Sequence, residues 1–204
     1  AKGDLIAFQD SDDNCLPNKL ETQMRLLMSL PPSHVAVFCP EIIYGRPIDK
    51  RGRKTYGDRH ASCVPGPDLD IPKGDLSKLF ERGNIATLQS MLIRKSAFDA
   101  TGGFDARLRN NEDWDFNLRL SRIGPIGFDD TALVVVYNSS DGISKNRRAS
   151  LRSYVRIVSK LRTTDIDPAI LAGHATNAAR LLLQHRRPRA ARRYMGWGAR
   201  WPMW

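Results

Sequence analysis

The stretch "AFQDSDDN" sets Asp10, Asp12 and Asp13 within four positions, immediately after an apolar run. Hard divalent cations such as Mg²⁺ and Mn²⁺ favour carboxylate oxygens, and Mg²⁺ commonly takes one or two of them together with substrate phosphates. In an extended segment alternate side chains point the same way, so Asp10 and Asp12 can converge. The carboxyl ends of strands are also where open α/β sheets bind ligands. The same acids, with Asn14, would equally serve to cap a helix beginning near Pro17. Spacing leaves both readings open.

A second acidic group lies in "NNEDWDF", where Glu112, Asp113 and Asp115 surround Trp114. Acids at a helix start are stabilised by free N–H groups and the macrodipole, which accounts for one carboxylate without invoking function. A carboxylate beside an aromatic wall could also act as a general base, because partial desolvation raises its proton affinity. Just upstream, "GGFD" (Gly102 to Asp105) predicts a tight turn. His34, His60, His174 and His185 form no ligand spacing.

The elements that must position these groups read as a mixed α/β body. "DLIAF" predicts a strand, and "LPNKLETQMRLLMSL" a helix starting at Pro17 with Leu20, Met24 and Leu27 at helical spacing. "HVAVFC" predicts a second strand, after which Glu41 to Lys73 reads as one long loop rich in Gly, Pro and charge. A short helix in "GDLSKLFERGN" follows, with Asp75 as cap and Gly83 as stop. Then come a strand in "IATLQSMLIRK", a helical turn in "SAFDATGG", a helix in "NNEDWDFNLRLSRIG" and a strand in "TALVVVY".

Residues 1–145 are thus expected to form the body, and residues 146–204 a basic helical extension. In the extension Leu151, Tyr154, Val155, Val158 and Leu161 make one apolar stripe, and Pro168 opens a second helix. The net charge of +10 calls for an anionic partner. Cys15, Cys39 and Cys63, an odd set without CxxC pairing, predict free thiols in a reducing compartment. No apolar run approaches the roughly 20 residues of a membrane span, and no signal-peptide pattern opens the chain.

Taken in order, "AKGDLIAFQDSDDNCLPNKLETQ", "GNIATLQSMLIRKSAFDATGGFDARLRNNEDWDFNLRLSRIG" and "DGISKN" resemble the family 2 glycosyltransferases. The resemblance implies an α/β, partial GT-A (nucleotide-diphospho-sugar transferase-like) fold with a C-terminal helical extension. It further implies an inverting transfer of a sugar from a nucleoside-diphosphate donor to an acceptor hydroxyl, in bacterial cell-surface polysaccharide or glycolipid synthesis. Asp10 and Asp12 match the element that contacts the donor, and Asp10, Asp12 and Asp13 the region that holds Mg²⁺ or Mn²⁺. Asp113 matches the general base and Glu112 its neighbour, while Trp114 and Gly103 fall on the acceptor side.

The chain starts at "AKGD", in the middle of the implied domain, so a fragment lacking most of the nucleoside pocket is expected, with weak nucleotide binding when alone. Where relatives carry a metal-reaching histidine, this chain has Ser140 and Asp141, the latter a substitute oxygen ligand. The expected partners are a nucleoside-diphosphate sugar and a saccharide or lipid-linked acceptor. The arginines of the tail with Trp197, Trp201 and Trp204 would add peripheral contact with an anionic membrane, at the inner face of the cell membrane. The alternatives are a truncated inactive remnant, or a basic module holding nucleic acid or anionic lipid without turnover. Two acid groups at a strand end and a helix start speak against a nucleic-acid partner.

Overall fold

The computed structural model describes residues 2–44, 61–66, 68–72, 74–137 and 146–198. The chain divides into an α/β unit, Ala1–Phe104 with Phe116–Gly142, and a helical unit, Asp105–Asp115 with Ile143–Trp204.

Among the described residues the elements of the α/β unit are, in chain order, β1 (Leu5–Ala7), β2 (Asn14–Cys15), α1 (Lys19–Ser29), β3 (Ala36–Phe38), β4 (Glu41–Tyr44), β5 (Ala61–Val64), α2 (Ser77–Arg82), a 3-10 turn (Leu88–Ser90), β6 (Met91–Arg94) and α3 (Lys95–Ala100). They are followed by α4 (Glu112–Leu120), which crosses from one unit into the other, then β7 (Ile126–Phe128) and β8 (Val134–Tyr137). Two four-stranded sheets result, in the orders β1-β6-β3-β7 and β2-β8-β4-β5.

The first sheet is built on β3, whose Ala36, Val37 and Phe38 are fully buried. This strand pairs antiparallel with β6 and parallel with β7, with Ala36 opposite both Ile93 and Ile126. Gly124 lets the chain re-enter the sheet, since a Cβ there would lie 2.6 Å from the Ser33 carbonyl oxygen. In the second sheet β4 runs parallel to β8 and antiparallel to β5. The expected loop from Glu41 to Lys73 therefore carries two strands; Ile42 and Ile43 take strand form through β8, a partner some ninety residues away that no local pattern reveals. Residues 45–60 of that loop, including His60, lie outside the described residues.

Two further expectations are corrected. Helix α1 starts at Lys19 rather than Pro17, and Asn18 precedes it without a side-chain capping bond. Its buried face is Lys19, Gln23 and Leu27, while Leu20 and Met24 are exposed. Only the C-terminal half of the helix packs on apolar ground, where Leu27 meets Val37 and Leu92; its first turn sits over a polar interior. The segment "IATLQSMLIRK" divides into the 3-10 turn and β6.

The helical unit contains α5 (Arg147–Leu161), α6 (Pro168–Gln184) and α7 (Pro188–Gly198). Asn146 caps α5 by accepting from the Ala149 N–H, and Asp167 caps α6 by accepting from Ala169, with Pro168 in the first turn as expected. Val158, Ala178, Ala179, Leu182, Ala191 and Tyr194 form the core, with Leu151, Tyr154 and Val155 packed at its edge. Small alanines on α6 let the helices approach closely. Helix α7 goes beyond the two expected helices, and it draws Trp197 against this core. No helix of the described residues is long and apolar enough to cross a membrane.

Candidate functional site

The acidic turn follows β1. Gln9 staples it, its Nε2 donating to the carbonyl oxygens of Asp10 (2.9 Å) and Asp13 (2.8 Å), while the Cys15 thiol donates to Gln9 Oε1. Asp10 and Asp12 are exposed and Asp13 is half-buried. Both Asp13 carboxylate oxygens are held: Oδ1 accepts from the Tyr137 N–H at 2.8 Å and Oδ2 from Gln89 Nε2 at 2.6 Å. Asp13 thereby ties the turn to β8 and to the 3-10 turn, and no side-chain bond from Asp12, Asp13 or Asn14 caps α1.

Among the described residues no three His, Cys, Asp or Glu side chains group to hold a metal ion. The acidic turn offers one or two exposed carboxylates, a donor set that suits a Mg²⁺ or Mn²⁺ carried on substrate phosphates rather than one caged by protein alone. Asp141 and Ser140 lie outside the described residues.

The α/β unit also has a polar interior, which sequence patterns did not reveal. Gln89 is linked to Asp13 and buried, as are Lys19, Gln23, Glu41 and Ser90. Gln23 Nε2 donates to the Ser90 carbonyl at 2.7 Å, and the Thr87 hydroxyl donates to the Glu41 carboxylate. Lys19 Nζ, Gln23 Oε1 and Gln89 Oε1 are buried with no hydrogen-bond partner among the described residues. Burial pushes the Lys19 ammonium below its ordinary range, against a partial pull upward from Cys15, Cys39 and Glu41. Burial likewise pushes the Cys39 thiol up to about 11. The available signal was Lys19 and Gln23 recurring in phase with Leu27 along α1.

The second acidic group opens α4. Asn111 adopts a left-handed backbone, φ 56°, and its carbonyl accepts from the Asp115 N–H at 3.2 Å, so the helix begins abruptly. Glu112 and Asp113 are half-buried, and Asp113 Oδ1 accepts from the Trp114 N–H at 2.7 Å. Trp114, 4% exposed, stacks on Tyr154 with ring centroids 5.8 Å apart and planes 19° apart, and lies 5.3 Å from His174. The Tyr154 hydroxyl bonds His174 Nδ1 at 3.0 Å. Asp115 is paired with Lys160 at 2.5 Å, and the same ammonium meets Asp105 at 2.8 Å. Arg107, and then Lys160, hold the Asp105 carboxyl well below the usual carboxylate range.

Within the α/β unit a cluster of rings joins the motifs. Phe8, which leads into the acidic turn, meets Phe104 of "GGFD" at 5.7 Å, and Phe104 meets Phe116 of α4 at 5.1 Å. Gly102 and Gly103 both have φ 74°, which a glycine pair adopts without strain. Arg119 of α4 fixes that turn by donating to the carbonyls of Thr101 and Gly103, each at 2.7 Å.

The family model for "Glycosyltransferase like family 2" matches residues 1–163. The chain belongs to that family. Its fold is the mixed α/β, GT-A-like fold of these glycosyltransferases, with a C-terminal helical extension. S. aureus TarS superposes with a TM-score of 0.55 at 12% identity, over 90% of this chain and 29% of that one. An uncharacterized glycosyltransferase of Rickettsia felis is 29% identical over 71% of this chain and 23% of its own length. One of Rickettsia typhi is 26% identical over 65% of this chain and 39% of its own. This family 2 chain therefore spans less than two fifths of the length of these curated relatives.

Proposed function

We propose that this chain carries the donor-phosphate and acceptor-activating groups of an inverting glycosyltransferase that uses a nucleoside-diphosphate sugar. Asp10 and Asp12 would contact the donor from the acidic turn, with Asp13 holding that turn in place through Gln89 and Tyr137. A Mg²⁺ or Mn²⁺ on the diphosphate, held by Asp12 with Asp10 or Asp13, would offset charge developing on the leaving group. Asp113 would take the proton of the acceptor hydroxyl as its oxygen attacks the anomeric carbon from the face opposite the diphosphate. The new carbon–oxygen bond forms as the carbon–phosphate-oxygen bond breaks, and configuration inverts. Glu112 flanks the base, Gly103 shapes the acceptor side, and Trp114 acts there from behind by anchoring the helix turn.

The observation that carries this reading is the build of the α4 start. A left-handed Asn111, a buried Trp114 and the Lys160 pair fix one turn of helix whose remaining acids, Glu112 and Asp113, are half-buried. The acceptor is proposed to be a saccharide or a lipid-linked saccharide of the cell surface. Peripheral contact with an anionic membrane is proposed for residues 199–204, with Arg200, Trp201 and Trp204, which lie outside the described residues; co-sedimentation with anionic vesicles should fall when they are deleted.

The deciding measurement is release of nucleoside diphosphate from a panel of nucleotide sugars with Mg²⁺ or Mn²⁺. Asp113→Asn should lower the rate by about a hundredfold or more, and Asp12→Ala should raise the metal concentration needed for half-maximal rate. Unchanged turnover in Asp113→Asn would remove Asp113 as the base.

A further inference from the structure

The helical unit contains a cavity of about 430 Å³ bounded by all three of its long helices. Its walls are basic: Arg148 and Arg152 of α5, Arg187 at the start of α7, and His185 at the end of α6. Its floor is apolar, made by Leu151, Val155 and Leu182. Residues 148, 151, 152 and 155 are a single face of α5, so one stripe of that helix supplies two guanidinium groups and two aliphatic side chains.

Arg148, Arg152 and Arg187 are exposed, and their like charges line one cavity. Like charges four residues apart on a helix repel, and Arg187 adds a third cation from another helix. Among the described residues no carboxylate pairs with Arg148, Arg152 or Arg187. Residues 146–204 contain thirteen Lys and Arg but only two acids, Asp165 and Asp167, both before α6. A 17-residue helix is about 25 Å long, so the Asp167 cap lies a full helix length from His185. The reversal from α6 to α7 runs through Arg186 in the left-handed region, φ 56°, where the Arg186 and Arg187 N–H groups donate to the Leu183 and Leu182 carbonyls and close the end of α6. That turn delivers Arg187 to the N-terminus of α7, where free N–H groups add positive potential.

We propose that this cavity binds a phosphate or diphosphate group that carries an apolar substituent. Arginine forks match phosphate oxygens in pairs, three such forks suit a diphosphate better than a single carboxylate, and the aliphatic floor receives the substituent. The volume is in the range of small-ligand sites. The group could come from a lipid phosphate or from a free phosphorylated metabolite, and the recognition chemistry is the same. This site lies within the helical unit and does not depend on the transferase reading.

Calorimetric titration of the full chain with inorganic pyrophosphate and with monomeric dihexanoyl phosphatidic acid tests it, in the absence of nucleotide sugar. Both probes should bind, tighter lipid binding pointing to a lipid source and equal binding to a free phosphate. Arg152→Ala/Arg187→Ala should weaken binding at least tenfold, whereas Arg189→Ala/Arg192→Ala, which removes the same charge outside the cavity wall, should change it less than twofold. Circular dichroism confirms that both variants fold, and Arg152→Lys, which keeps charge but loses the fork, should fall between them. Absence of binding to either probe, or equal weakening by the two double variants, would overturn the site. So would binding of single-stranded RNA that pyrophosphate does not displace.

Discussion

Two lysines show how differently the two units treat buried polarity. Lys160 of the helical unit is completed by two carboxylates, Asp105 and Asp115, and holds α4 to α5. Lys19 of the α/β unit is 1% exposed and its ammonium has no hydrogen-bond partner among the described residues; the same holds for one amide oxygen each of Gln23 and Gln89. Closed polar networks stabilise and specify structure, while open ones carry a desolvation cost that packing alone does not explain. The open network touches the acidic turn through Gln89 and Asp13, and the closed one supports the helix turn that bears Glu112 and Asp113.

Lys160→Met breaks the contrast most severely. It removes the ammonium that pairs with the carboxylate of Asp115, 2% exposed, and should cost about 2–3 kcal/mol, below the usual penalty for a fully buried pair because Lys160 is itself partly exposed. Urea unfolding measures it, and a loss under about 0.5 kcal/mol would mean the pair is no lock. Gln89→Leu should cost about 1 kcal/mol, the worth of a half-buried bond to a carboxylate. It should also raise the metal requirement of donor hydrolysis, and an unchanged requirement would detach Gln89 from the acidic turn.

Lys19→Met should be neutral or stabilise by up to about 1 kcal/mol, since the ammonium has no hydrogen-bond partner among the described residues to leave unsatisfied and the nearby Glu41 keeps its bond from Thr87. The sign follows from protons: with its native value lowered, Lys19 binds fewer protons folded than unfolded, so its penalty is largest below the native value. The advantage of Lys19→Met should shrink as pH rises toward 10.5, the ordinary lysine value; a gap that widens would reverse the assignment. The smallest effect involves no stability change. Exposed Cys15 should react with a thiol reagent at pH 8 while Cys39, pushed up to about 11, stays protected until unfolding.

Much of the local order was legible in the residues. β-Branched and apolar runs predicted β3 and β8, Pro168 predicted the start of α6, and the acid groups announced themselves by type and spacing. What escaped was set by distant partners. Asp13 is anchored by groups 76 and 124 residues away, which turns a presumed cap into a brace. Strand β4 is paired with the distant β8, and β5 adds to the sheet on the other side of β4. Lys19 and Gln23 replace Leu20 and Met24 on the inner face of α1 because the ground beneath that turn is polar. Local hydrophobic periodicity describes the helix but does not choose its neighbours.

Asn111 has one more effect on the acids that follow it. A helix that begins from a left-handed residue cannot readily start one position earlier or later, and a slip of one position would swing each acid about 100° around the axis. The angular aim of Glu112 and Asp113 is therefore decided by the main chain before any of their own contacts form. At this position Gly or Asp should be accepted and Val or Ile rejected.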